Sequence, residues 1–255
     1  MKLFKIIASF LLILIILFLV IWAVRKTNDQ VCTGISTLIR TSGETQLISE
    51  SDVLAILKQN NIEWEGRKIK EVDLDSIHKI LAQENYIKSV EKVHFSGSKL
   101  QIEISLYNIL LNVKTKDGKK FLLDDHGVYL PFSPKVGNGV MTAAGFIPIS
   151  IQKKETVTLK NYELYSLFSV ATLLKADENF ATEFKEMNIN EKQEITLFPD
   201  EGKLPVLIGT MQNADKKLNT LRYMYKEVLP YLEDGKYKQL DVRFENRIVA
   251  TKSES

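Results

Sequence analysis

The sequence predicts an α+β protein with three parts: an N-terminal transmembrane helix, a small β-α-α-β-β unit, and a mixed β-sheet unit with flanking helices. An uncharged apolar run near the N-terminus predicts the first part. Strict apolar-polar alternation further on marks strands, and apolar residues at helical spacing interrupt those strands in both halves. Segregated strands and helices of this kind suit an α+β arrangement, in which helices cover a sheet face.

The run Ile6–Val24 holds 19 residues, none charged, with Ser9 its only polar side chain. At about 1.5 Å per residue a helix of that length spans roughly 28 Å, close to a bilayer's hydrocarbon core. A cleaved signal peptide has a shorter apolar stretch and a small-residue cleavage site, and Ile-Trp-Ala-Val-Arg-Lys-Thr offers no such site. Ile6, Leu14, Trp22 and Val24 are therefore the expected anchor residues, with Trp22 placed as an interfacial aromatic. Lys2 and Lys5 precede the run, and Arg25 and Lys26 follow it. That near-balance orients the helix only weakly; the short N-terminal tail adds to a bias toward a cytoplasmic N-terminus.

The whole chain of 255 residues carries a formal charge of +2. Removing the four flanking cations leaves 30 basic against 32 acidic residues, a balance of −2. Such a remainder has no electrostatic footprint for nucleic acid. Cys32 is the only cysteine, so no intrachain disulfide and no cysteine-based metal site can form. It reads as a small, partly buried residue.

The expected divisions are residues 1–27 for tail and anchor, 28–106 for the first folded unit, 107–252 for the second, and 253–255 for a tail. In the first unit, Ile35–Arg40 reads as a strand. Ser49 is a good N-cap, with Asp52 adding acid to the first turn. Val53, Leu54, Ile56 and Leu57 then keep helical spacing until Asn60-Asn61. A second helix is expected near Val72–Asn85, opened by Asp73 or Asp75, with His78 on its apolar face. Val90, Val93 and Phe95 mark a strand, and Ser96-Gly97-Ser98 a hairpin turn. Leu100, Ile102, Ile104 and Leu106 then alternate strictly with polar residues.

In the second unit, Asp117-Gly118 joins strands at Ile109–Lys116 and Lys119–Leu123, because Asp-Gly favours a turn that matches strand twist. Asp125-His126-Gly127 turns the chain again, and Val140–Ala144 is a short strand. Helices are expected at Tyr162–Lys175, at about Glu178–Met187, and from Asn213 or Asp215 to about Leu229. Ile195–Phe198 and Leu204–Ile208 form a hairpin between the last two. Strands near Gln239–Phe244 and Arg247–Thr251 close the unit, joined at Glu245-Asn246.

Chemistry is sparse. His78, His94 and His126 show no metal-ligand spacing. Asp124-Asp125-His126 resembles an acid/base cluster, but the same residue types are what a turn requires. No nucleophile elbow, phosphate loop, dinucleotide fingerprint or zinc-protease motif is present. The expectation is a protein that is not an enzyme, with no cofactor, no metal and no small-molecule substrate. Tyr223, Tyr225 and Tyr231 either pack on the sheet or form a partner surface. In the closing strands, Leu240, Val242, Phe244 and Ile248 are expected to face inward and Asp241, Arg243 and Arg247 outward. That last strand is either a sheet edge open to an incoming strand or a covered strand; the sequence leaves both open.

Several stretches, in order, resemble the FtsQ/DivIB family of cell-division proteins. Leu47-Ile48-Ser49-Glu50-Ser51-Asp52-Val53, Tyr86-Ile87-Lys88-Ser89-Val90-Glu91-Lys92-Val93 and Lys99-Leu100-Gln101-Ile102-Glu103-Ile104 look like that family's POTRA domain. Phe121 through Pro131, with Leu-Leu-Asp-Asp-His-Gly-Val-Tyr-Leu between them, resembles the start of its β domain. Lys203-Leu204-Pro205-Val206-Leu207-Ile208-Gly209 and Leu240-Asp241-Val242-Arg243-Phe244-Glu245-Asn246-Arg247-Ile248-Val249 are similar to its later strands. Leu106-Tyr107-Asn108-Ile109 departs from the family's basic residue and proline at the domain junction.

The resemblance implies a non-enzymatic scaffold of the bacterial division machinery, linking early and late septum proteins. It implies an inner-membrane location, a periplasmic C-terminal portion, enrichment at the septum, and contact with the lipid bilayer and with FtsB and FtsL type partners. The family's strand-accepting edge falls here on Phe244, Asn246, Arg247, Ile248 and Val249. Two alternatives stand beside it. One is a POTRA-type interaction protein of secretion or outer-membrane assembly, although the chain is short for a transmembrane barrel. The other is a membrane-anchored periplasmic hydrolase, which rests on scattered carboxylates alone.

Overall fold

The computed structural model describes residues 10–22, 30–43, 45–137, 139–148, 155–200, 203–232, 236–244 and 247–253. Residues 10–22 form helix α1, with its apolar side chains exposed, Leu14 at 48 % and Trp22 at 54 %. The expected transmembrane span is corrected here. Among the described residues no helix is long and apolar enough to cross a membrane. The described helix, residues 10–22, rises through roughly 20 Å, against a hydrocarbon core of about 30 Å. Ile6 and Val24 lie outside the described residues.

The remainder is α+β and divides into two compact units. One runs through Ile48–Leu106 and takes in the strand before it; the other comprises Thr41–Leu47 and the chain from Tyr107 onward.

The first unit contains β1 (Gly34–Arg40), α2 (Glu50–Gln59), α3 (Leu74–Gln83), β2 (Ile87–Ser96) and β3 (Lys99–Leu106). The strands form a sheet in the order β1-β3-β2, with β1 parallel and β2 antiparallel to β3. Ser49 caps α2 reciprocally: its hydroxyl accepts from the Asp52 N–H, and its own N–H donates 2.8 Å to the Asp52 carboxylate. This satisfies orphan donors of the first turn. Asp73 caps α3 by accepting from the Ser76 N–H at 3.0 Å. The alternation expected in β3 is realised, with Leu100, Ile102 and Ile104 fully buried against Val53, Leu57, Ile77 and Leu81. Each such side chain stabilises the unit by about 1.5–3 kcal/mol relative to exposure. His78 is exposed, contrary to the packed position expected for it.

The second unit contains β4 (Ile109–Thr115), β5 (Lys120–Asp124), β6 (Tyr129–Pro131), β7 (Met141–Gly145), α4 (Tyr162–Ala176), β8 (Phe184–Ile189), β9 (Ile195–Pro199), β10 (Val206–Gly209), α5 (Ala214–Tyr223), β11 (Tyr237–Asp241) and β12 (Val249–Lys252). The nine strands form one mixed sheet in the order β12-β11-β10-β9-β8-β7-β4-β5-β6. Leu164, Leu167, Val170, Ala171 and Leu174 of α4 are buried in one core with strand residues such as Leu111, Val113, Met187 and Leu197.

Two helix expectations change. Residues 178–187 are not a helix: after a turn in which Asp177 accepts from the Asn179 N–H, Phe184–Ile189 is a strand between β7 and β9. Strand pairing on both sides outweighs local helix propensity there. The helix expected to reach Leu229 is regular only to Tyr223, then widens to a π turn at Met224–Val228 and tightens to a 3-10 turn at Leu229–Tyr231. Pro230 lacks an N–H and its ring crowds the preceding turn, which accounts for the change of pitch.

Candidate partner-binding site

Strand β12 lies at one end of the nine-stranded sheet. It pairs antiparallel with β11, placing Ala250 opposite Leu240 and Val249 opposite Asp241. Among the described residues no strand lies on its other side. An edge of this kind presents unpaired N–H and C=O groups. The opposite edge, β6, is different. Tyr129 donates its N–H to the Glu155 carbonyl at 2.8 Å, Val157 donates to the Gly127 carbonyl at 2.9 Å, and Val128 bridges to Thr156. Residues 155–157 thus run along that edge.

Beside β12, Val242, Arg243, Phe244 and Ile248 lie outside the strands and face α5 across a groove of about 630 Å³. Lys216, Lys217 and Tyr223 line it from α5, and Arg243, Phe244 and Ile248 from the other wall. Phe244 is 50 % exposed and Tyr223 60 % exposed, so aromatic surface faces solvent.

The wall carrying Phe244 is held by Arg243. Its guanidinium donates to both Asp241 carboxylate oxygens, at 2.7 and 3.0 Å, and to Glu194 on the far side at 2.5 Å. Burial pushes the Asp241 carboxyl up, but the hydrogen bonds and charge of Arg243 outweigh it and leave the group below the usual carboxylate range. The same contacts raise Arg243 above its ordinary value, so it is a fixed cation. Its charge centre also lies 5.6 Å from the Phe244 ring centroid, within cation–π range. On the other wall Lys217 donates 2.6 Å to the Thr210 carbonyl. Burial, together with the nearby charge of Arg243, holds its ammonium below the ordinary lysine value.

The expected in-and-out pattern of the closing strands holds for Leu240 and Val242, which are buried at 0 % and 1 %. It fails for two others. Asp241 is buried, not outward, because Arg243 neutralises it. Phe244 is half exposed, because β11 ends at Asp241 and the chain has left the sheet before reaching it. Of the residues expected at a partner edge, Arg247 is exposed, Ile248 half-buried and Val249 exposed. Asn246 lies outside the described residues. Phe244 and Ile248 line the groove and Val249 opens β12.

The three tyrosines do not form one cluster. Tyr225 packs edge-on against Phe180 at 5.2 Å and Phe184 at 6.0 Å, and burial with nearby Glu183 raises its phenol. Tyr223 faces the groove, and Tyr231 is 83 % exposed. Gly209 closes the Lys203–Gly209 stretch that resembles the family, but nothing in the sequence marks it or Lys217 as supporting a groove. Their roles arise where Arg243 comes close to Gly209 and to the α5 side of the groove. Asp124-Asp125-His126 does turn the chain: the buried Asp124 carboxylate accepts from the N–H groups of His126 and Val128.

Two family models match the chain. One described as FtsQ/DivIB, C-terminal related, matches residues 109–251. One described as a POTRA-like domain matches residues 30–105. None of the curated proteins compared matches the chain.

Proposed function

Because the chain belongs to the FtsQ/DivIB family by its match over residues 109–251, we propose that it is a non-enzymatic scaffold of the division machinery that accepts a strand from an FtsB–FtsL type partner on the β12 edge. The observation that carries this reading is the juxtaposition of an unpartnered edge strand with an adjoining groove whose walls expose Phe244 and Tyr223. An extended segment added to β12 would gain main-chain hydrogen bonds, and its side chains would find their specificity in the groove. Half-exposed aromatics are the residue type that dominates such contacts. Phe244, Asn246, Arg247, Ile248 and Val249 make up the proposed contact set, and the POTRA-like unit serves recruitment.

The test is capture of a co-expressed FtsB–FtsL type pair by the tagged full chain. Phe244→Ala and Ile248→Glu are expected to reduce capture while the far-ultraviolet circular dichroism stays unchanged. Full capture by both folded variants overturns the assignment of this edge.

A further inference from the structure

The turn after β5 holds a second constellation, on a different element from the β12 edge. The Asp124 side chain is 1 % exposed. One of its oxygens, Oδ1, is used by the backbone, accepting from His126 N at 3.0 Å and Val128 N at 2.6 Å. The other, Oδ2, is buried and has no hydrogen-bond donor among the described residues. A buried acceptor left without a donor is destabilising, and a bound cation would relieve it. The imidazole Nδ1 of His126 stands 3.7 Å from Oδ2. Asp125 Oδ1 lies 2.5 Å from the same nitrogen. One ligand atom from each of the three residues falls within 4.8 Å of the others.

We propose that Asp124, Asp125 and His126 form a binding site for a divalent transition-metal ion of the zinc class. Bonds of about 2.0–2.1 Å in a tetrahedral site place ligand atoms roughly 3.3 Å apart. The Asp124–His126 separation of 3.7 Å is already near that value. The Asp125 and His126 side chains are 37 % and 65 % exposed, so they can rotate apart to admit the ion while Asp124 stays fixed. Two carboxylates and a neutral imidazole carry a charge of −2, which complements a divalent cation. The imidazole favours zinc, cobalt or nickel over calcium or magnesium, which take oxygen ligands. Water completes the coordination from the open side.

The test is isothermal titration of the full chain with zinc chloride in a non-chelating buffer near neutral pH, paired with cobalt(II) absorption in the visible range. One ion per chain is expected, with a tetrahedral cobalt spectrum. Loss of supporting groups alone weakens metal sites by about 10–100-fold, so removing a ligand is expected to weaken zinc at least about tenfold. His126→Ala and Asp125→Asn serve for this because both side chains are exposed and outside the core. His78→Ala, on α3, is expected to leave the titration unchanged. Absence of zinc binding in the unmodified chain overturns the proposal, as does binding that survives both substitutions or is lost with His78.

Discussion

Arg243 lies across Gly209: a β-carbon at Gly209 would stand 2.7 Å from Arg243 Cγ and 2.8 Å from its Cδ. The glycine sits at the end of β10 with φ +69°. Its bare Cα leaves the channel through which the arginine stem reaches Asp241 and Glu194. The wall of the groove therefore depends on a residue that does not line it.

Gly209→Ala is expected to destabilise the second unit by about 1–2 kcal/mol from the left-handed backbone alone, with a further loss from displacing Arg243. Urea unfolding measures the sum. A double-mutant cycle with Arg243→Ala separates the two parts, because the steric part disappears when the stem is gone.

The Asp241–Arg243 pair sets a pH dependence. Asp241 titrates below the usual range when folded, whereas an unfolded aspartate titrates near about 3.9. Between those values the unfolded chain binds the extra proton, so stability rises with pH there. The contribution is fully present above about pH 4 and is lost as pH falls through the folded value. Asp241→Asn is expected to cost about 2 kcal/mol at neutral pH. In thermal melts its deficit relative to the unmodified chain narrows on acidification below that point. A deficit that stays constant from neutral pH to pH ~3 contradicts the pairing.

Two tyrosines two residues apart are expected to behave oppositely. Tyr225→Ala opens a hole beside Phe180 and Phe184 and is expected to cost about 3 kcal/mol. Tyr223→Ala removes a groove-facing ring and is expected to stay within about 0.5 kcal/mol in stability, while weakening partner capture. Chemical denaturation and co-purification measure the two effects separately.

Ser49→Ala is expected to lower the stability of α2 by about 1 kcal/mol, because the reciprocal cap is lost. Hydrogen exchange of the α2 amides measures it. Ser49→Asp keeps an acceptor at the N-cap and is expected to restore most of the protection.

The β-α-α-β-β unit was legible because its signals are local. Strict alternation in Leu100–Leu106 and an N-cap at Ser49 each need only a few neighbouring residues. The Asp117-Gly118 turn of the second unit is of the same kind, with Gly118 at φ +83°. Phe184–Ile189 was illegible because its strand state comes from β7 and β9, more than a local window away on one side. The groove was half legible. Phe244 and Ile248 stand in a recognisable closing segment, but their exposure depends on β11 ending at Asp241. The contacts that Lys217 and Gly209 make at the groove arise only through tertiary approach. The apolar run Ile6–Val24 illustrates the reverse case, in which a strong local pattern was not matched by a described helix of spanning length.

The two ends of the nine-stranded sheet also fix its valency. Residues 155–157 run along the β6 end, while among the described residues no strand lies beyond β12. An incoming strand therefore adds at the β12 end of the sheet. If two copies met through this edge, they would form a closed two-fold pair and not a propagating fibre. Within this sheet, a partner and a second copy are mutually exclusive occupants, so the copy number of a complex built here is set by geometry before affinity enters.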